Sequence, residues 1–198
     1  CCWAYKTSDV MLEKILTLDT ELLVYLNGLG SPAYDGLWLF ITRQSNWVPL
    51  FLLLLYVIYK KLGVKQTLYL LLFITVIVAI TDQTTNLFKN GFQRLRPCNN
   101  PEINTVIRVV QVRNSFSFFS GHASNSMAVA AFLYFVLRDK IKFFGLIFVW
   151  PLIFAYSRIY LGLHYPGDIL TGYLFGFTFA FLMFKVYKIA QRNYFSQH

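Results

Sequence analysis

Two internal histidines, several arginines and one aspartate stand apart in this chain because they lie against long apolar runs. The stretch SRIYLGLHYPGD, Ser157 to Asp168, sets Arg158, His164 and Asp168 between two such runs. An ionisable group left unpaired in an apolar phase costs several kcal/mol, so each of these needs a partner or a task. A carboxylate four residues beyond a histidine can accept one ring N–H and leave the other nitrogen as an outward lone pair. That describes an activated nucleophile or base. The same bond would also brace the turn made by Pro166 and Gly167.

Two further clusters repeat the pattern. FSFFSGHASNS, Phe116 to Ser126, puts Ser120, Gly121 and His122 just ahead of an apolar run. With Ser120 as N-cap, the free N–H groups and positive dipole end of a helix attract an anion, and Gly121 lets it come close. A capped helix start with an interfacial histidine is the plainer reading. KNGFQRLRP, Lys89 to Pro97, places Lys89 and Arg96 seven apart, on one face of a helix that Pro97 ends, where two cations can meet one anion. Its plainer reading is a basic anchor at a membrane interface. Taken together, the clusters offer cations, an anion-binding helix start, two histidines and an aspartate to orient one of them, and the only other histidine is His198. These are the parts of phosphoryl transfer: cations for the oxygens, one histidine to attack, one to protonate the leaving oxygen.

The elements that must hold these groups are membrane helices. Of the 198 residues, 57% are hydrophobic and only 14% charged, against about 25% charged in a soluble domain. Five apolar runs begin at Trp47, Thr67, Ser126, Phe143 and Ile169. Each is shorter than the ~20 residues that cross a bilayer, but flanking Trp, Tyr, Thr and Asn extend them. No soluble protein of this composition could cover all five with polar surface. The expectation is an all-α polytopic bundle of five transmembrane helices, or six if Met11 to Leu29 inserts. It forms a single domain over 1–198, with N-terminal interfacial helices in 1–45 and a transmembrane catalytic core in 46–190.

The N-terminal part reads as amphipathic. Leu12, Ile15, Leu16, Leu22, Leu23 and Leu26 share helical spacing, while Glu13, Lys14, Asp19 and Glu21 keep mostly off that face. After GLGSP, a second short helix carries Tyr34, Trp38 and Phe40, suited to a lipid–water boundary and to bordering the lipid's access route. Residues 1–10 look unlike a signal peptide, and Met11 is a candidate start. Cys1, Cys2 and Cys98 lack metal-ligand spacing. Asp82, in TDQTTN, is expected to face a wet cavity or a nearby cation.

The net charge of +9 calls for an acidic partner, and so apolar a chain makes nucleic acid a poor one. The basic segments at Lys60, Arg138 and Lys185 fall on one side, cytoplasmic by the positive-inside rule. The three clusters then face outwards. Their own positive load, Lys89, Arg94, Arg96, Arg108, Arg113 and Arg158, runs against topology and points to an anionic ligand.

In order and spacing, KNGFQRLRP, FSGH and SRIYLGLHYPGD resemble the three motifs of the type 2 phosphatidic acid phosphatase (PAP2) superfamily: K-x6-R-P, P-S-G-H and S-R-x5-H-x3-D. That superfamily includes lipid phosphate phosphatases, glucose-6-phosphatase and the vanadium haloperoxidases. The first and third match completely, and Phe119 stands where the second has proline, which should alter the stiffness of the loop and leave the chemistry. The resemblance implies that His164 attacks phosphorus and forms a phosphohistidine while Asp168 holds its ring. His122 would protonate the leaving group and later activate water. Lys89, Arg96, Ser120, Gly121 and Arg158 would bind phosphate. No metal and no cofactor is implied, nor an obligate protein partner. The partners are the bilayer and a lipid phosphate, at the outer face of a bacterial inner membrane. Undecaprenyl diphosphate is the leading substrate; lipid A, phosphatidylglycerophosphate and phosphatidate are alternatives. A haloperoxidase would use the same pocket for vanadate, but the spans argue against it. A non-catalytic lipid-binding or transport protein would need the cations without an oriented nucleophile.

Overall fold

The computed structural model describes residues 2–195, with side chains over residues 10–192; Cys1, the side chain of Cys2, and His198 lie outside that range. The described residues form α1 (Cys2–Gly28), α2 (Pro32–Ile41), α3 (Val48–Phe92), α4 (Gly121–Leu137), α5 (Val149–Tyr160) and α6 (Pro166–Phe195), with three short 3-10 turns and no strand among them.

Inside α3, Gly63 has φ 76° and ψ 172°, outside the helical region and in the half of the map that glycine enters freely. Phe51 and Trp47 line the same cleft as Ile74 and Val78, whereas a straight helix would hold Phe51 and Val78 about 40 Å apart. α3 is therefore a hairpin of two arms folded at Gly63. The five apolar runs fall on these two arms, on α4, on α5 with its 3-10 lead-in, and on α6. Two stretches, Gln44–Asn99 and Pro166–Arg192, are long and apolar enough to cross a membrane, and Gly121–Leu137 and Phe144–Tyr160 are shorter apolar helices.

α4 is the central post. Its Ala123, Ala128, Ala130, Ala131, Phe132, Leu133 and Leu137 are all buried, while leucines of the outer helices, such as Leu52, Leu68, Leu72, Leu170 and Leu174, are exposed. α6 lies directly on α4 through Gly172 and Gly176, spaced as in small-xxx-small helix contacts. A Cβ at Gly172 would stand 2.7 Å from the Ser120 carbonyl oxygen, and one at Gly176 would strike that of Ser124. This close seating brings the first turns of the two helices together, and Ser120 N donates to the Asp168 carbonyl at 3.0 Å.

Two details depart from the sequence reading. α3 stops at Phe92, not at Pro97, because Gln93 takes a left-handed conformation (φ 48°) and its N–H closes on the Lys89 carbonyl at 3.0 Å. Lys89 and Arg96 consequently share no helix face; the chain from Gln93 onward is released from the helix and carries Arg94 and Arg96 to α6. Half-buried Trp38 stacks on Tyr160 and meets Tyr156 edge-on, both at 5.1 Å, while Tyr34 and Phe40 are exposed. α1 exposes Leu12, Ile15, Leu16 and Leu22 as an apolar face should, yet Asp19 turns inward with Leu23 and Asn27. Asp82 stays exposed and accepts from Asn86 Nδ2 one turn on, at 3.3 Å.

Candidate active site

His164 sits in the short link between α5 and α6, which the chain makes by a sharp turn. Gly162 there has φ 74°, and a Cβ on it would lie 3.0 Å from the Arg108 carbonyl, so a glycine is required twice over. His164 is 1% exposed and Asp168, one turn on, 0%. His164 Nδ1 lies 3.2 Å from Asp168 Oδ2, and His164 Nε2 lies 2.8 Å from Arg96 Nη1. A guanidinium only donates, so Nε2 is the accepting nitrogen and Nδ1 carries the hydrogen given to Asp168. Burial first, then the charges of Arg96, Arg158, Lys89 and Arg94, hold the imidazole well below its ordinary 6.5, and the ring is neutral.

The three expected cations surround this ring in different ways. Arg96 has its donors committed: Nε to the Ser115 carbonyl at 2.7 Å, Nη2 to Ser115 Oγ at 2.9 Å, and Nη1 to the Leu163 carbonyl at 3.0 Å as well as to His164. Arg158, 3% exposed, gives Nη1 to Thr42 Oγ1 at 2.6 Å, but its buried Nε has no partner among the described residues. A buried charged donor without an acceptor is costly, and an anion seated beside it removes the cost. Lys89, half-buried at the end of α3, makes no hydrogen bond with its Nζ among the described residues and lies within electrostatic reach of Arg96 and Arg158.

Ser120 caps α4 by accepting from Ala123 N at 3.4 Å, with Gly121 and His122 in the first turn. The His122 ring stacks on Phe154 with centroids 4.9 Å apart, within electrostatic reach of Arg158, His164 and Lys89. Phe119, in the place of the motif's proline, is fully buried. It stacks on Phe175 at 4.8 Å and meets Phe88 edge-on at 5.3 Å. The loop entering α4 is held by aromatic packing in place of a fixed φ. The structure thus brings Lys89, Arg96, Ser120, Gly121, His122, Arg158, His164 and Asp168 to one end of the bundle.

Sequence reasoning gave no particular role to Ser117, Thr42 and Arg94, which touch this group, or to Asp19, one contact further out. Ser117 donates to Asp168 Oδ2, Thr42 receives Arg158, and Arg94 joins Asp168 Oδ1 to Asp19 Oδ2, each at 2.8 Å. Arg94 carried a legible signal, being the other arginine of QRLRP; Asp19, some 75 residues earlier, carried none. Among the described residues no three His, Cys, Asp or Glu are grouped to hold a metal ion.

A helical bundle with apolar outer faces, carrying a neutral histidine among cations at one end, is the architecture of a membrane-embedded phosphatase. A sequence model of the PAP2 superfamily matches residues 66–192, which span all three motifs. The chain belongs to this superfamily and is a phosphatase. It is similar to the lipid A 4'-phosphatase of Bacteroides thetaiotaomicron, 36% identical over 173 residues covering 84% of this chain and 75% of the relative. A lipid A 4'-phosphatase of Porphyromonas gingivalis is 30% identical over 186 residues, 92% of this chain and 78% of the relative. The undecaprenyl-diphosphatase of Sulfolobus acidocaldarius is 26% identical over 178 residues, 88% and 81% of the two chains. Among solved structures, the transmembrane PAP2-type phosphatidylglycerolphosphate phosphatase from Bacillus subtilis has the same fold, with a TM-score of 0.66 at 21% identity, covering 86% of this chain and 84% of that one.

Proposed function

We propose that the protein is a lipid A phosphatase of a bacterial inner membrane, acting on a phosphate monoester at the outer face through a phosphohistidine on His164. The neutral His164, with Nδ1 on Asp168 and its accepting nitrogen towards the cations, carries this reading. When substrate arrives, Arg96 Nη1 passes its hydrogen from Nε2 to a phosphate oxygen, and Nε2 attacks phosphorus. The phosphorus–oxygen ester bond breaks, and His122, protonated once the negative charge of the bound phosphate offsets the surrounding cations, gives that proton to the departing sugar oxygen. His122 then takes a proton from water, which attacks phosphorus and returns the bonding pair to Nε2. Arg158, Lys89 and the first-turn N–H groups of α4 hold the charge that develops on the oxygens.

The lipid A assignment rests on the two lipid A 4'-phosphatases at 36% and 30% identity, which displaces the expectation of undecaprenyl diphosphate to second place, supported by one relative at 26%. The single domain crosses the membrane five times, through the two arms of α3, α4, α5 and α6, with α1 and α2 at the interface. The basic ends at Lys60, Arg138 and Lys185 lie in the cytoplasm.

Phosphate release in detergent with EDTA, from lipid A, undecaprenyl diphosphate and phosphatidylglycerophosphate in parallel, tests both levels. Lipid A should be fastest, with release surviving the chelator and lost in His164→Ala. A faster rate on undecaprenyl diphosphate would overturn the substrate, and an active His164→Ala enzyme the mechanism.

A further inference from the structure

The link between His164 and Asp168 is gripped from outside the three motifs. Asp19 of α1 accepts from Gly167 N through Oδ1 at 2.6 Å, and from Arg94 Nη2 through Oδ2 at 2.8 Å. Arg94 Nη1 reaches Asp168 Oδ1 at 2.8 Å, and its guanidinium lies 3.6 Å above the Tyr165 ring. Both oxygens of Asp168 are thereby used: Oδ2 by His164 Nδ1, Ser117 Oγ and Tyr165 N, and Oδ1 by Arg94. Asp19 is 10% exposed and Arg94 22%, so the pair is shielded from the solvent that would weaken it. The reach of Asp19 also explains Gly167: a Cβ there would lie 2.9 Å from Asp19 Oδ2.

Charge decides what this chain of contacts does. Arg94 alone beside Asp168 would neutralise it, leaving little to stabilise the imidazolium that His164 becomes on attacking phosphorus. Shared between two carboxylates, Arg94 orients Asp168 while the trio keeps one net negative charge. From this geometry we infer that Asp19 and Arg94 are positioning residues for the nucleophile, and that α1 completes the site by supplying the carboxylate that leaves Asp168 its charge. The inference rests on His164 as the nucleophile.

The test compares kcat and KM on lipid A for the full chain in detergent, with His164→Ala as the control for the nucleophile itself. Asp19→Asn keeps the shape and an acceptor and removes the charge. Its kcat should fall about tenfold, the effect of one charge acting through an effective dielectric near 20, with KM within about twofold. Adding Arg94→Gln restores the net negative charge beside His164, so the double variant should regain at least about threefold over Asp19→Asn. A clamp that is only structural predicts the opposite order, the double variant being the slower. Should Asp19→Asn fold poorly, Asp19→Glu keeps the charge and should retain most of kcat. An inactive His164→Ala with Asp19→Asn at the wild-type rate, or a double variant slower than the single, would overturn the inference; an active His164→Ala would remove its premise.

Discussion

His164 is kept neutral by two agents, burial and a ring of four cations, and both act in the direction a nucleophile needs. The same fact makes acid a stress on the fold. The folded ring binds a proton only well below 6.5, whereas the unfolded chain takes one up near that value. Below pH 6.5 the unfolded state therefore holds more protons, and the contribution of this group to stability, complete above that pH, is lost as pH falls. The expected outcome is a melting temperature in detergent that declines between about pH 7 and pH 5 in the wild type, with a shallower decline in His164→Gln. Parallel profiles for the two proteins would contradict it. Activity at saturating lipid should persist well below pH 6.5, since the proposed nucleophile needs no deprotonation there. A second residue-scale expectation concerns Phe119, whose ring is held between Phe88 and Phe175. Phe119→Ala removes that packing at a cost of about 3 kcal/mol or more and frees the loop before Ser120, so both melting temperature and kcat should drop. The pairing of His164 with Asp168 was legible in the sequence because a spacing of four suffices to orient a ring. The contacts of Arg158 with Thr42 and of Asp168 with Ser117 were not, because they join segments that only the fold brings together.

At the scale of elements, the decisive contact is α6 on α4. Its two glycines let backbone approach backbone, and the Ser120-to-Asp168 hydrogen bond depends on that approach. Gly172→Val should push the helices apart, costing about 1–3 kcal/mol of stability and lowering kcat, because His164 and the α4 helix start would separate. Gly91→Ala, where a Cβ meets nothing within 4 Å, should change neither and serves as the control; equal melting temperatures for the two variants would refute the account. The apolar runs themselves were plain in the sequence, but which of their faces pack was not. In a membrane the lipid-facing and protein-facing sides are alike apolar, and helices meet through small residues and not through the largest. Accordingly α4 buries alanines while Leu170 and Leu174 of α6 point outwards. The position of α1 was hidden for a different reason: Asp19 looks like one more polar residue on an amphipathic helix until Gly167 and Arg94 are placed against it.

For the whole molecule the remaining question is how a long lipid reaches a site ringed by cations. Trp38 packs against α5, while Phe40 is exposed. One apolar cleft of about 280 Å³ runs between the two arms of α3, α4 and α5, lined by Trp47, Phe51, Ile74, Val78, Val129 and Phe154 among others. Phe154 is also the ring on which His122 stacks. The cleft therefore begins beside the group proposed to protonate the leaving oxygen, on the side where the acylated sugar of lipid A would leave the phosphate. Its walls are apolar apart from a few polar groups such as Asn125 and Ser126, suiting a chain transferred from the bilayer with little change of surroundings. Val129→Phe would fill the cleft from α4 without touching the phosphate-binding cations. It should lower kcat/KM on long-chain lipid A by roughly tenfold, within the range that a misfitting apolar group costs. Hydrolysis of a water-soluble aryl phosphate, which has no chain to place there, should stay within about twofold of wild type. If both substrates lose activity equally, the substitution has disturbed the site itself, and the hydrocarbon takes another path out of the bilayer.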